Sequence, residues 1–142
     1  MSDIRLLYPV FVQIALTFVL LIAMGRARAR AARRGDVKIK DIALGQRAWP
    51  DRVTQISNAF HNQLELPVLF YVLVAFVIVT RKADTVLLLM AWAFVGLRLV
   101  HAWIHTTRND VIRRFYVYLA GALVLIAMWI VFAVRIIAAQ GL

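Results

Sequence analysis

Four stretches of this chain are apolar and long enough to cross a lipid bilayer, and they restrict the folds that it can adopt. A hydrocarbon core about 30 Å thick needs roughly 20 residues of helix. Of the 142 residues, 63% are hydrophobic, too many for a soluble domain of this size. Because a bilayer offers exposed backbone groups no hydrogen bonds, we predict an all-α integral membrane protein. The four predicted spans are residues 4–24, 53–80, 84–104 and 114–137.

Short connections determine how these spans follow one another. Residues 80–84 join spans two and three, and residues 105–113 join spans three and four. Connections of this length make consecutive helices antiparallel neighbours. Residues 1–5 lack the net basic region of a signal peptide, so the first stretch is kept as a span. We therefore expect a single domain, residues 1–142, folded as a four-helix up-and-down bundle.

The uneven distribution of basic residues predicts which side of the membrane each loop faces. Nine basic residues lie between residues 25 and 52 and three between residues 105 and 114, whereas the opposite side carries four. Cytoplasmic loops carry the excess of positive charge, so both basic loops are predicted to be cytoplasmic and both termini non-cytoplasmic, as in a bacterial inner-membrane protein. The nine are Arg26, Arg28, Arg30, Arg33, Arg34, Lys38, Lys40, Arg47 and Arg52.

The first basic loop opens with an alanine and arginine tract, residues 25–34, that can extend helix one out of the membrane as far as Gly35. Such a tract acts as a topology signal and contacts anionic membrane lipids. A net charge of +10 suggests nucleic acid in a soluble protein, but no aromatic platform or base-reading motif accompanies it here. We therefore expect no nucleic-acid partner. Trp49, Pro50 and Asp51 predict an interfacial anchor and a turn into helix two.

Glu65 is the only glutamate of the chain, and it lies beside Pro67 just before the apolar run 68–79. An ionisable group in a membrane span is costly and is a functional-site hypothesis by default. Counted from Thr80 at 1.5 Å per residue, Glu65 lies about 22 Å below the outer surface of the hydrocarbon core. This depth places the carboxylate in the cytoplasmic leaflet.

Other polar residues are predicted at the same depth, on helix faces that can converge. Counted at 100° per residue on helix two, those of span two fall within an arc of about 80°. Those of span three are spaced i, i+3, i+7, and those of span four i, i+4, so each set occupies one helix face. The residues are Gln55, Asn58, Asn62 and Glu65 in span two, Arg98, His101 and His105 in span three, and Arg114 and Tyr118 in span four.

The charges of this polar layer do not balance. One carboxylate cannot neutralise Arg98, Arg113 and Arg114, so we expect the layer to receive an anion from the cytosol. The alternative is that these polar groups only hold the helices together, with Glu65 paired to Arg98.

Two further interpretations involve other chemistry. His101 and His105 are spaced i, i+4 and can bind a metal together with His61 or Glu65. The glutamate of a zincin motif is missing, however, and we predict no metal site. A small four-span exporter can use a membrane carboxylate to exchange protons for cationic drugs, but the arginines around Glu65 would repel a cation.

The polar segments resemble the MAPEG family, the membrane-associated proteins of eicosanoid and glutathione metabolism, which includes microsomal glutathione transferases and leukotriene C synthase. The resemblance is carried by Asn-Gln-Leu-Glu at 62–65 with Pro67, by Arg98 and His101, and by Arg-Arg-Phe-Tyr-Val-Tyr at 113–118. It extends over nearly the whole chain in the order and length of the spans.

Roles for individual residues follow from this resemblance. Asn62 and Glu65 match an Asn-x-x-Glu pair that holds glutathione in characterised members. Arg98 and His101 match an Arg-x-x-His on the third helix of those proteins. Arg28 corresponds to a basic ligand at the end of helix one.

The match continues into the last helix and includes two departures. Arg114 matches the arginine regarded as activating the glutathione thiol, Tyr118 matches a tyrosine one turn later, and Arg113 adds a basic group beside them. Characterised glutathione-using members carry an arginine where this chain has His61 and a tyrosine where it has His105. Both changes weaken anion binding.

The resemblance also implies an activity and an assembly. Glutathione or a related thiol would be the co-substrate, added to a lipophilic electrophile that enters from the bilayer, or used to reduce a peroxide. A homotrimer with sites between subunits is implied as well. The alternative is a membrane binding or scaffold protein of the same fold that performs no catalysis.

Overall fold

Helices account for nearly all of the chain that the structure, a computed structural model, describes: residues 3–45 and 48–139. Arg47, counted above among the basic residues of the first loop, lies outside these ranges. No strand occurs within them. The α-helices are α1 (Leu7–Arg34), α2 (Asp51–His61), α3 (Leu66–Val79), α4 (Thr85–Thr106) and α5 (Val111–Ala139), and short 3₁₀ turns cover Asp3–Leu6, Ile39–Asp41 and Asn62–Leu64.

Within the described residues, four helical segments are long and apolar enough to cross a membrane, which confirms the all-α, four-span prediction. Span two consists of α2, the 3₁₀ turn and α3 together. The alanine and arginine tract does extend α1, which ends at Gly35 in the left-handed conformation (φ 76°) with its N–H bonded to the Ala31 and Ala32 carbonyls. Pro50 precedes the first residue of α2, as the predicted turn requires.

Span two is broken at Glu65, so the expectation of one continuous helix across this span is wrong. Glu65 has φ −98° and ψ −107°, outside the helical region, and α3 begins at the next residue. Pro67 explains the break: it has no N–H for the Gln63 carbonyl, and its ring would clash with that carbonyl in an unbroken helix. In the first turn of a new helix the proline is tolerated.

The main apolar core occupies the half of the bundle farthest from the basic loops. Phe70 of α3 stacks on Phe94 of α4, with ring centroids 4.8 Å apart, and both are fully buried. At the other end a smaller cluster of Ala31, Val37 and Val53 joins the extension of α1 to the start of α2. The main core is formed by Leu6, Phe70, Leu73, Val74, Val77, Leu87, Ala91, Phe94, Val95, Leu125, Met128 and Phe132.

An ion pair closes the end of the bundle opposite the basic loops. Asp84 caps α4 by accepting a hydrogen bond from the Leu87 N–H (2.9 Å), and it pairs with Arg135 near the end of α5 at 2.5 Å. Partial burial of Asp84 opposes its ionisation, but the Arg135 guanidinium and backbone N–H groups outweigh it. The pKa of the Asp84 carboxyl is therefore lower than its ordinary value.

Candidate functional site

A pocket of about 240 Å³ lies where the break in span two meets the end of α4 and the start of α5. Five of the residues predicted for the site line it, so the structure brings together side chains from three helical segments. Two apolar residues complete the lining. The seven are Asn62, Glu65, His101, Val111, Arg114, Phe115 and Tyr118.

Glu65 reaches the pocket from the break in span two. Its Oε2 accepts a long hydrogen bond from the Tyr118 hydroxyl, at 3.4 Å, and the residue is exposed. Within the described residues Glu65 forms no ion pair with Arg98. The carboxylate is therefore open to a ligand, and the pairing considered above as pure architecture is not made.

Arg98 lies behind the pocket and is 1% exposed. Its Nη2 donates to the main-chain carbonyl of Asn62 at 2.7 Å, and the guanidinium lies 5.8 Å from the centre of the Tyr118 ring. Nε and Nη1 are buried and have no hydrogen-bond partner among the residues that the structure describes. Since unsatisfied charged donors are costly in a dry interior, this guanidinium favours a polar or anionic group in the adjacent space.

Two histidines of α4 lie side by side, with ring centroids 5.6 Å apart, but only one lines the pocket. His101 does, and its Nδ1 is buried without a partner. His105 lies behind Asn62, whose side-chain amide donates to the His105 Nδ1 at 3.3 Å. In this arrangement His105 orients Asn62. No three metal-ligating side chains of the described residues lie close enough together to hold a metal ion.

Arg114 enters the pocket from the first turn of α5. Its Nη1 donates to the Asn109 side-chain oxygen at 2.6 Å. Asn109 has φ +52°, a left-handed conformation that asparagine tolerates better than most residues. The turn between α4 and α5 thus anchors one amino group of the guanidinium and leaves the others for a ligand.

Three residues predicted for the site lie elsewhere in the structure. Arg28 donates to the Ser57 hydroxyl at 2.8 Å and stacks on Trp49, and the exposed His61 donates from Nδ1 to the Ser57 carbonyl at 2.8 Å. Arg113 is 68% exposed and pairs with Asp110 at 3.4 Å. The excess of positive charge beside the pocket therefore comes from Arg98 and Arg114, without Arg113.

The apolar wall of the pocket was not predicted from the sequence. Val111 and Phe115 provide it, and with Arg114 and Tyr118 they form the pattern i, i+3, i+4, i+7 on one face of α5. The sequence contains this spacing, but only its polar members, Arg114 and Tyr118, were predicted to belong to the site. Beside a basic and polar floor, the apolar wall allows a ligand with both polar and lipophilic parts.

Comparison with known proteins gives one match. Neither the curated proteins nor the solved structures include a significant match to this chain. The family model described as "MAPEG family" matches residues 6–134, which include all the residues that line the pocket and reach into all four spans. This match covers most of the chain and agrees with the four membrane-spanning helices. The protein is therefore a multi-pass membrane protein that belongs to the MAPEG family of glutathione and eicosanoid metabolism.

Proposed function

We propose that the pocket binds glutathione, or a related thiol, and that the protein transfers this thiol to lipophilic electrophiles or uses it to reduce peroxides. The observation that carries the proposal is the convergence of Asn62, Glu65 and Arg114 on one pocket that also has an apolar wall. Glutathione carries an amine, two carboxylates and a thiol. Amide, carboxylate and guanidinium groups complement these features, and the apolar wall suits the second substrate.

The proposal assigns the chemistry to Arg114. A thiol with a pKa of about 8.5 is mostly protonated at neutral pH, and a neighbouring cation favours the thiolate. A guanidinium stays charged at any physiological pH, so Arg114 stabilises the thiolate by its charge and does not act as a base. The proton released on thiol ionisation passes to water in the open pocket.

Other pocket residues position the tripeptide. The Glu65 carboxylate accepts hydrogen bonds from the amine of the thiol ligand. The Asn62 side chain forms hydrogen bonds with the peptide groups of the ligand. Arg98, whose Nε and Nη1 lack partners, attracts a carboxylate or orders water that contacts one. His101 and Tyr118 complete the polar floor.

The reaction balances without a further cofactor. In an addition, the thiolate sulfur bonds to an electrophilic carbon and the neighbouring carbon takes a proton from water, which yields a thioether. In a peroxide reduction, two thiols yield one disulfide while the peroxide is reduced to an alcohol and water.

The surroundings of the protein belong to the same proposal. The basic loops face the cytoplasm, both termini lie outside it, and the bacterial inner membrane is the expected location. Large apolar side chains of α1 and α5 are exposed in the single chain, for example Phe18 at 58% and Ile126 at 55%. Surfaces of this kind suit contact with lipid tails and with two further copies in a homotrimer.

Calorimetric titration with glutathione, followed by measurement of thiolate absorbance in the ultraviolet, tests the proposal. Saturable binding with a thiolate signal is expected for the wild type. Arg114→Ala should abolish the thiolate signal. Arg113→Ala should preserve it, since this substitution removes the same charge from a position outside the pocket. Absence of saturable binding at millimolar glutathione would reject the proposal.

The same titration separates catalysis from binding alone. Saturable binding with no thiolate signal, and no thioether product from an electrophilic alkene, would favour a binding or scaffold protein. The observation that favours this second candidate is His105, which stands where glutathione-using members carry a tyrosine and which weakens anion binding.

A further inference from the structure

A second pocket, of about 350 Å³, lies outside the proposed thiol site. It is formed where the basic extension of α1 meets the start of α2, and it shares no lining residue with the first pocket. Three guanidinium groups line it, those of Arg30, Arg34 and Arg52. Its function is not explained by anything proposed for the thiol site.

The floor of this second pocket is apolar. Ala31 and Val53 belong to the lining and are 4% and 6% exposed, because they pack together in the cluster that joins the two helices. Ile56 extends the apolar surface along α2. A site built only to bind a free inorganic anion would have no use for such a floor.

The charges on the rim are not balanced. Of the described residues that line the pocket, only Asp36 is acidic. In residues 3–45 and 48–139, no ion pair within 4 Å involves Asp36, Arg30 or Arg34. Arg52 is engaged with neutral oxygens, the Thr106 carbonyl at 2.5 Å and the Gln55 side chain at 3.1 Å. The rim therefore has at least two guanidinium groups available for an anion.

Helix energetics explain part of this arrangement. Arg34 is favourable at the C-terminal end of α1, where cations complement the helix dipole. Arg30 lies four residues earlier on the same face, and like charges at that spacing destabilise a helix. The dipole therefore accounts for Arg34 but leaves Arg30 and the apolar floor without a reason.

The position of the second pocket along α1 corresponds to the headgroup layer of the bilayer. Arg26 is the first charged residue after the apolar part of α1, and Arg30 is one turn farther, about 6 Å along the axis. The headgroup layer on each side of a bilayer is roughly 5–7 Å thick. Arg30 thus reaches the level of lipid phosphates, and the long side chain of Arg34 can bend back toward the same level.

We propose that this second pocket binds the headgroup phosphate of an anionic phospholipid. The planar guanidinium groups of Arg30 and Arg34 bind the phosphate oxygens, a geometry for which arginine is well suited. The glycerol and the start of an acyl chain lie on the floor of Ala31, Val53 and Ile56. Basic pockets beside membrane helices are a recurrent form of lipid-headgroup site. Because the pocket joins α1 to α2, a bound lipid also holds these helices together.

The test uses the full chain in nanodiscs that contain equal amounts of phosphatidylglycerol and phosphatidylcholine, followed by native mass spectrometry of the released protein. The wild type should retain phosphatidylglycerol in preference to phosphatidylcholine. Arg30→Gln/Arg34→Gln should reduce that preference by about thirty-fold, since each of the two guanidinium groups loses a direct hydrogen bond to the phosphate worth about 1 kcal/mol.

Matched variants separate a built site from diffuse charge. Arg26→Gln/Arg33→Gln removes the same two charges from exposed positions of α1 that do not line the pocket, and it should keep the preference. Arg30→Lys/Arg34→Lys keeps the charge but loses the planar geometry and should fall between the two. Size-exclusion chromatography and circular dichroism verify that each variant is folded.

Three outcomes would overturn the proposal. The first is no lipid preference in the wild type, and the second is an equal loss in both glutamine pairs, which would mean diffuse electrostatics. The third is displacement of the lipid by millimolar inorganic phosphate, which would mean a free-anion site. None of these measurements involves glutathione, so failure of the thiol proposal would leave this one standing.

Discussion

Compared with α3, which forms the other half of the same membrane span, α2 and the turn after it are held in place by polar contacts. The α3 half carries Phe70, Leu73 and Val77 into the main apolar core. The half before the break makes hydrogen bonds to two neighbouring helices, α1 and α4: Ser57 accepts from Arg28, Gln63 from Gln13, and the Asn62 carbonyl from Arg98. Apolar packing thus dominates in the α3 half, whereas the α2 half adds hydrogen bonds to two smaller apolar clusters.

The difference between the two halves follows from the apolar nature of lipid tails. In a bilayer, burying an apolar side chain between helices gains packing but little from the hydrophobic effect, since lipid tails are equally apolar. A close-packed core such as that around Phe70 therefore provides stability by fit alone. Hydrogen bonds are directional and therefore fix the orientation of the segments that they join. The pocket lies at the break in span two, where the orientation of the side chains is set by such bonds.

The largest expected effect lies in the apolar half. Phe70→Ala leaves a cavity against Phe94 and should lower the free energy of unfolding by about 2 to 4 kcal/mol. Phe76→Ala, the same change on the same helix at a residue 49% exposed, should cost much less. Unfolding in mixed dodecylsulfate micelles measures both. Equal losses at the two positions would contradict the view that fit stabilises this half.

A smaller effect is expected from the buried amide pair of the polar half. Gln13 Nε2 donates to Gln63 Oε1 at 2.9 Å, and both residues are at most 1% exposed. Gln63→Leu leaves Gln13 unpaired and should cost about 1 kcal/mol. It should also weaken glutathione binding, because Gln63 lies in the turn that positions Glu65.

The double variant Gln13→Leu/Gln63→Leu sharpens this test. Replacing both partners removes the unsatisfied groups, so most of the stability should return. Glutathione affinity should stay low if the hydrogen bond, and not just packing, holds the turn. Full recovery of affinity along with stability would show that the pair has no positioning role.

The anchoring of Arg114 by Asn109 predicts a smaller effect, confined to the chemistry. Asn109→Gly keeps the left-handed backbone accessible and removes the hydrogen bond at 2.6 Å. A more mobile Arg114 should raise the pKa of bound glutathione and lower kcat/KM by about threefold to tenfold, with little change in thermal stability. Titration of thiolate absorbance against pH measures the shift.

Asn109→Asp provides the control for that prediction. The carboxylate keeps an acceptor in place but neutralises Arg114 by pairing with it. Thiolate formation should therefore fall at least as far as in Asn109→Gly. A stronger thiolate signal in Asn109→Asp would show that Arg114 does not act through its charge.

The smallest expected effect is at the end of the bundle opposite the pocket. Arg135→Gln removes the partner of Asp84 and should cost only about 0.5 kcal/mol at pH 7, because the pair is partly exposed. The pKa of Asp84 is lowered in the folded protein, so the stability from this pair is present above about pH 4 and lost as the pH falls through the folded pKa. Thermal unfolding at pH 7 and pH 3 should show a larger difference between wild type and variant at pH 7 than at pH 3.

The parts of this molecule that the sequence predicts are those set by local rules. Apolar length predicted the spans, and Gly35 predicted the end of α1, because membrane thickness and backbone conformation act on each segment separately. The break at Glu65 was missed because residues were counted at a constant angle across Pro67. Whether a proline kinks a span or starts a new helix depends on which neighbouring groups bond to the backbone near the break, and here Arg98 donates to the Asn62 carbonyl.

The site was predictable to the same degree. Asn62, Glu65 and His101 line one pocket, as expected from their predicted common depth and helix faces. Arg113 and Arg114 are adjacent and chemically identical, and which of them faces the pocket depends on how α5 docks against α4 and on the anchor at Asn109. Such information lies in tertiary packing.

Asn62 has consequences for how a pocket of this kind can vary. Its carbonyl binds Arg98 and its side chain contacts His105, so one residue performs two separable tasks. A main-chain oxygen is present whatever amino acid occupies the position. Substitutions at residue 62 therefore alter what the pocket recognises while the clamp between spans two and three persists. Ligand preference can diverge between related chains here without loss of the scaffold.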